Sequence, residues 1–298
     1  MARSYVEKYN DAFRRGRRRS TETLPRTNAT FAAGNVSVCG TTRSPSFFFP
    51  IEFWAEVNIK PWTSMLKGII EGSKRIKWKD RIPYAYWKGN PNVNHVRSNL
   101  MLCNVSKKYD WNARLYIQNW TKETKEGFKD SKLEDQCNYR YKIYVEGYGW
   151  SVSEKYIFAC DSMVLFVKPK FYDFFTRSMA PMEQYWPIMR KLGKQCVDIK
   201  RAVQWGNNHT RKAKEIGKAG SRFIQENLKM NYIYDYMFHV LTEYAKLLQF
   251  KPSIPKGGIE VRSDTMARSQ TGLWKKFMLE SMVTSPSDTL PCTVEGQN

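Results

Sequence analysis

The residues of this chain best placed to do chemistry lie in VEGYGWSVSE, residues 145–154. An apolar stretch runs into Gly147-Tyr148-Gly149, and the text then opens like a helix. Ser151 and Glu154 stand in the capping-box relation: the serine accepts from an early helix amide and the glutamate reaches back to the cap. That spacing predicts a helix N-terminus just after the glycines. Free amides and the positive end of a helix dipole attract anions there, and glycine lets a ligand approach the backbone. A Gly-x-Gly turn before a helix is common, however, and assigns no ligand by itself. Arg97 is a second candidate for an anion, with a surface ion pair as the plain alternative.

Such a turn needs a strand before it and a helix after it. Residues 83–89 (PYAYWKG), 113–118 (ARLYIQ), 139–147 (YRYKIYVEG) and 185–188 (YWPI) read as strands. SMVLFV, residues 162–167, is a continuous apolar run, the pattern of a strand covered on both faces. Short helices are expected over 97–103 and 151–162. Two longer ones follow, one with Ile216, Phe223, Ile224 and Leu228 on a face, the other with Ile233, Met237, Val240, Leu241, Tyr244 and Leu248. Both stripes are expected to be core. Alternation of strand and helix over units of roughly 30 residues predicts an α/β fold with a parallel, Rossmann-like sheet. Residues 139–145 and 162–167 should be neighbouring parallel strands in it.

Outside that region the text is irregular. Residues 1–74 carry an arginine run (Arg14, Arg15, Arg17, Arg18, Arg19) and a stretch rich in Ser, Thr, Asn, Gly and Pro, with an aromatic segment from Phe47. Residues 75–250 form the expected domain. Residues 251–298 read as a Pro/Gly linker and a tail with one short helix near Trp274.

The net charge of +21 suits a polyanionic partner and does not say which. The 42% apolar content excludes a wholly disordered chain. Six cysteines include no CxxC pair, and with three histidines they make a zinc site unexpected. At least one disulfide is expected, with Cys103 and Cys137 as members. Five Asn-x-Ser/Thr sequons, at Asn28, Asn35, Asn104, Asn119 and Asn208, point to a lumenal address. Against them, the chain opens without an apolar leader, and no apolar run is long enough to span a bilayer. Either the start lies outside this sequence, or the chain is cytoplasmic and the sequons are idle.

Longer pieces of text carry a resemblance. EFWAEVNIKPW, RIPYAYWKGN with Arg97 after it, LEDQCNYRYKIYVEGYGWSVSEKYIFACDSMVLFV, VQWGNNHTRKAKEIGKAGSRFIQENLKM and YDYMFHVLTEYAKLL are together similar to the protein O-glucosyltransferase family. That family includes Rumi-type and fungal capsule-associated enzymes, and the text resembles its plant members most. The resemblance covers about two-thirds of the chain. It implies a GT-B fold with 75–250 as donor domain and 1–74 as the remnant of an acceptor-side domain. It further implies inverting transfer from a UDP-sugar to a hydroxyl of a protein or glycan, without metal or other cofactor, in the ER or Golgi lumen. Carried over by position, Asn90, Arg97, Tyr148, Gly149, Trp150, Ser151, Val152 and Ser153 would contact the donor. Phe53 and Trp54 would stand on the acceptor side.

Two departures stand out. Relatives often carry arginine where this chain has Ser153, and the nearby charge here is Lys155. The family's base-bearing segment would fall between residues 15 and 46, an interval with no aspartate and a single carboxylate, Glu22. No catalytic base is therefore assigned, and a sugar-nucleotide binder without turnover is the alternative. A nucleic-acid-binding protein suits the charge, but no RNP, zinc-finger or helix-turn-helix signature is present, so no nucleic-acid partner is expected.

Overall fold

A computed structural model describes residues 54–191, 193–250, 253, 256–258 and 263–282. The chain divides into two compact units, residues 56–228 and the remainder, 1–55 with 229–298.

The first unit is built on five strands, β1 (Ile82–Gly89), β2 (Ala113–Ile117), β3 (Tyr139–Tyr144), β4 (Met163–Val167) and β5 (Trp186–Ile188). They lie in the order β2-β1-β3-β4-β5, and every pair is parallel. β3 and β4 are neighbours and parallel, as expected, with Tyr141 standing opposite Met163. All five residues of β4 are buried, the consequence of apolar side chains on both faces of a covered strand. The fold is therefore α/β with a parallel sheet.

Six helices accompany the sheet among the described residues: α1 (Trp62–Arg75), α2 (His95–Met101), α3 (Trp120–Lys125), α4 (Ser153–Phe158), α5 (Lys194–Asn208) and α6 (Thr210–Asn227). Trp87, Leu115, Ile143 and Leu165 from the strands share a core with Val96 and Leu100 of α2 and Ile199 and Val203 of α5. On the other face Tyr144 stacks on Phe166 with ring centroids 4.6 Å apart.

Helices α5 and α6 approach their neighbours at glycines. A methyl group at Gly206 would stand 2.6 Å from the Tyr141 ring, and one at Gly220 would stand 2.6 Å from the Gln184 carbonyl. At Gly217 it would collide with the backbone of Asp161. No larger residue fits there without moving backbone or a buried ring.

Two disulfides close the unit, Cys103–Cys196 and Cys137–Cys160, so both cysteines named as members are bridged, to different partners. Cys39 and Cys292 lie outside the described residues, as do the sequons at Asn28 and Asn35. The Asn104 amide is tied to the β2 backbone, donating to the Leu115 carbonyl at 3.0 Å and accepting from its N–H at 3.0 Å.

Beside the second disulfide sits Lys142, 3% exposed, whose ammonium donates to Cys160 Sγ at 3.3 Å. Burial, and then the charge of Arg81, pull its pKa down to about 7. Below that value the lysine is charged in both folded and unfolded chains, and the fold bears the whole penalty of a buried ammonium. Between about 7 and the unfolded value near 10.4 only the unfolded chain holds the proton, so stability rises with pH. Lys142→Met should therefore raise the urea midpoint at pH 7, by a gain on the order of a few kcal/mol. It should also flatten the rise in stability from pH 7 to 10. An unchanged slope would mean that Lys142 stays charged in the fold.

The second unit contains α7 (Met230–Leu247), α8 (Ser263–Ser269) and α9 (Gly272–Ser281) among its described residues. The stripe expected to be core on α7 is only partly so. Ile233 is buried, while Val240, Leu241 and Tyr244 are 38–43% exposed. Helical periodicity fixes which residues share a face, not whether another element covers it.

Candidate functional site

In an open parallel sheet, a ligand crevice forms outside the carboxyl ends of the strands where the strand order reverses. Here that point lies between β1 and β3, since the chain steps from β1 outward to β2 and then back across β1 to β3. Arg97 enters it from the segment after β1, and residues 145–151 enter it from the segment after β3.

Asparagines shape the approach after β1. Asn90 accepts from the Asn92 amide at 2.9 Å and turns the chain. Asn94 caps α2 by accepting from the Arg97 amide at 3.0 Å, while its own amide donates to the Glu146 carbonyl at 3.3 Å and to that of Gly147. The start of α2 is thereby fastened to the turn after β3.

The Arg97 side chain crosses the same gap. Nε donates to the Glu146 carbonyl at 2.9 Å, and Nη2 donates to Ser151 Oγ at 3.1 Å and to the Val145 carbonyl at 3.4 Å. Nη1 reaches the Asn90 carbonyl at 3.4 Å, and the guanidinium lies 5.8 Å from the Trp87 ring centroid. These acceptors are all neutral. Among the described residues no carboxylate pairs with Arg97, so the surface ion pair does not apply. Burial lowers its pKa, with Tyr144 acting the other way. A half-buried cation whose partners are all dipoles retains its attraction for an anion.

The remaining residues of the turn are arranged around this cation. Tyr148 is 90% exposed and Trp150 is 41% exposed, at the open side. Gly149 faces open space. Ser151 is buried, and its hydroxyl also bonds Ser153 Oγ at 2.8 Å. Val152 and Ser153 are half-buried. Trp54 belongs to the other unit and is 44% exposed. Phe53 lies outside the described residues.

The expected capping box does not form. Helix α4 begins at Ser153 with Val152 as its cap residue and no side-chain cap. The Ser151 hydroxyl is taken by Arg97, and the Glu154 carboxyl turns inward, where it accepts from Thr176 Oγ1 at 2.7 Å. Tertiary partners outcompete the local pair. With six residues α4 also sums only a small dipole, and the positive character of the site comes chiefly from Arg97. Lys155 does not stand in for the arginine seen in relatives. It is buried, with its ammonium 5.3 Å from the Trp62 ring centroid and 5.0 Å from that of Tyr156.

Sequence reasoning missed a second layer. Glu146, 2% exposed, pairs with Arg190 and accepts from the Lys170 amide at 2.6 Å and the Phe171 amide at 3.2 Å, anchoring the loop after β4. Asn94 was legible in principle as an asparagine three residues before Arg97, the spacing of a helix cap. Nothing local singles out Arg190.

A profile described as Glycosyl transferase family 90 matches residues 4–297. The chain belongs to glycosyl transferase family 90. Within family 90 the chain is 28% identical to protein O-glucosyltransferase 1 of Bos taurus over 206 residues, 66% of this chain and 50% of the relative. The Homo sapiens protein of that name is 27% identical over the same shares. O-glucosyltransferase rumi of Drosophila melanogaster is 26% identical over 257 residues, 78% of this chain and 60% of the relative. The chain spans about half the length of the curated relatives it matches. No helix among the described residues is long and apolar enough to cross a membrane.

Proposed function

We propose that residues 56–228 are the donor-binding domain of a GT-B glycosyltransferase, holding the diphosphate of a UDP-sugar at Arg97 and the turn of Tyr148, Gly149, Trp150, Ser151, Val152 and Ser153. The observation that carries this is Arg97 itself. It lies at the point where the strand order reverses, with its charge answered only by neutral oxygens and its guanidinium bonded to Ser151. Asn90 stands at the edge, and the exposed Tyr148 and Trp150 rings offer faces to the uridine or the sugar.

The same arrangement suits departure of UDP. A sugar leaving group that carries two phosphates needs fixed positive charge where its negative charge grows, and a planar guanidinium supplies it without a metal ion. The acceptor would be a hydroxyl of a protein or glycan, transfer would invert the anomeric carbon, and the work would be done in the ER or Golgi lumen. These assignments rest on family membership and on the named relatives. Activation of the hydroxyl needs a base that typically contributes 10²–10⁴-fold. Since residues 15–46 hold no aspartate, binding without turnover is a second reading.

Calorimetric titration with UDP, beside duplex DNA at several salt concentrations, tests the class. Saturable UDP binding and no DNA binding at physiological salt are expected. Strong, steeply salt-dependent DNA binding by a chain indifferent to UDP would overturn the donor reading. Sugar release to an acceptor peptide then separates transfer from binding alone.

A further inference from the structure

Directly beneath the Arg97 turn lies a carboxyl group that the donor reading does not use. Glu154 is 0% exposed. Its Oε1 accepts from Thr176 Oγ1 at 2.7 Å, and its Oε2 is sealed from solvent. Tyr144 of β3 is hydrogen-bonded to this carboxyl and interacts electrostatically with it. The Tyr144 hydroxyl accepts from the Ser151 amide at 3.2 Å, and the Glu154 amide donates to the Ser151 carbonyl at 3.0 Å. Ser151 in turn holds Arg97. Two short paths therefore connect the buried carboxyl to the guanidinium, one through Tyr144 and one through the backbone.

We propose that Glu154 is a positioning residue of the Arg97 site: held as a neutral carboxylic acid it fixes Tyr144 and the Ser151 turn, and its ionisation weakens binding of the diphosphate. This rests on the reading of that turn as the donor site. As an acid, Glu154 keeps one oxygen for Thr176 and offers a proton from the other to the phenol oxygen that steadies Ser151. As a carboxylate it can only accept from the Tyr144 hydroxyl, and it places a negative charge under the pocket, where water cannot screen it. The surroundings favour the neutral form. Burial is the largest influence and the Asp173 carboxyl adds to it, while hydrogen bonding from Thr176 and Tyr144 opposes, leaving the pKa at about 8. Asp173 is itself buried and raised, with Lys155 countering it, and Tyr185 also faces the group. The proton is therefore held at neutral pH and given up just above it. By linkage, a ligand that prefers the protonated form must itself raise the pKa of Glu154.

The test is UDP titration of the unmodified chain, Glu154→Gln and Glu154→Ala at pH 7.0, 8.0 and 9.0. Hydrogen exchange of the ligand-free peptide covering residues 147–153 is followed at each pH. The Gln variant is a permanent stand-in for the neutral acid, and deprotonation of the uracil weakens both proteins alike. From pH 7 to 9 the unmodified chain should lose about tenfold more affinity than Glu154→Gln, a usual size for coupling between two groups. Its turn should also exchange faster relative to that variant. Glu154→Ala should bind weakly at every pH. Coincident pH profiles for the unmodified chain and Glu154→Gln would overturn the proposal while leaving the donor site intact. If UDP bound neither protein, the donor reading would fall. The pH-dependent exchange difference would then decide Glu154 separately: its presence upholds the link to Ser151, and its absence removes it.

Discussion

UDP should bind the Arg97→Ala protein about 30- to 4,000-fold more weakly than the unmodified chain. The range corresponds to the roughly 2–5 kcal/mol lost when one member of a partly buried charge pair is removed. The effect is large because the site has no substitute. α4 is too short to offer much dipole, Lys155 is buried against Trp62 and Tyr156, and Ser153 carries no charge. Arg97→Lys should recover part of the loss at most. A lysine keeps the charge but cannot bond Ser151, three carbonyls and a phosphate from one rigid fork. Thermal melting of the two variants controls for the three carbonyls that lose a donor. A dissociation constant within threefold of the unmodified value, in a folded Arg97→Ala protein, would remove the donor site from this position.

The second large effect is on stability. Replacing Cys196 by serine should destabilise the chain by roughly 4–5 kcal/mol, and replacing Cys160 by roughly 3–4 kcal/mol. The difference follows from the loops closed. Cys103–Cys196 spans a separation of 93 residues and Cys137–Cys160 spans 23, and the longer loop constrains the unfolded chain more. The first bridge joins the end of the α2 segment to α5 across the core, and the second joins the approach to β3 with the loop before β4. Urea unfolding of the two variants in oxidising buffer measures the ordering. Six free thiols by mass spectrometry in protein made in an oxidising compartment would show that neither bridge forms.

Much of the sheet was legible because its strands carry their burial in their composition. β4 is apolar at every position, and β1 and β3 are rich in Tyr, with Ile in each and Trp in β1. Helices α1 and α5 were not foreseen. The inner face of α5 is Ile199, Ala202, Val203 and Gly206, helical in spacing but small in side chain, so its apolar signal is faint. α1 has a clear stripe through Trp62, Met65 and Ile69, but it follows directly on an aromatic segment that obscured its start. At the site, Gly147–Ser153 and Arg97 could be named one by one. Their meeting followed from the family resemblance and not from local pattern, because 54 positions separate Arg97 from Ser151 and only the β2-β1-β3 order brings them together. The capping box failed for a related reason. A local pair is one option for Ser151 and Glu154, and the folded chain gave each a partner far away in sequence.

The close approach of α5 and α6 bears on how this chain can change over generations. At Gly206 and Gly217 the usable alphabet has one letter, although glycine is about 1 kcal/mol worse than alanine for a helix interior. Local preference and three-dimensional fit therefore oppose each other at these positions, and fit decides. On the opposite side of α6, Lys218 and Arg222 are exposed, where nearly any residue would serve. The same helix is thus an archive on its inner face and a blank page on its outer one.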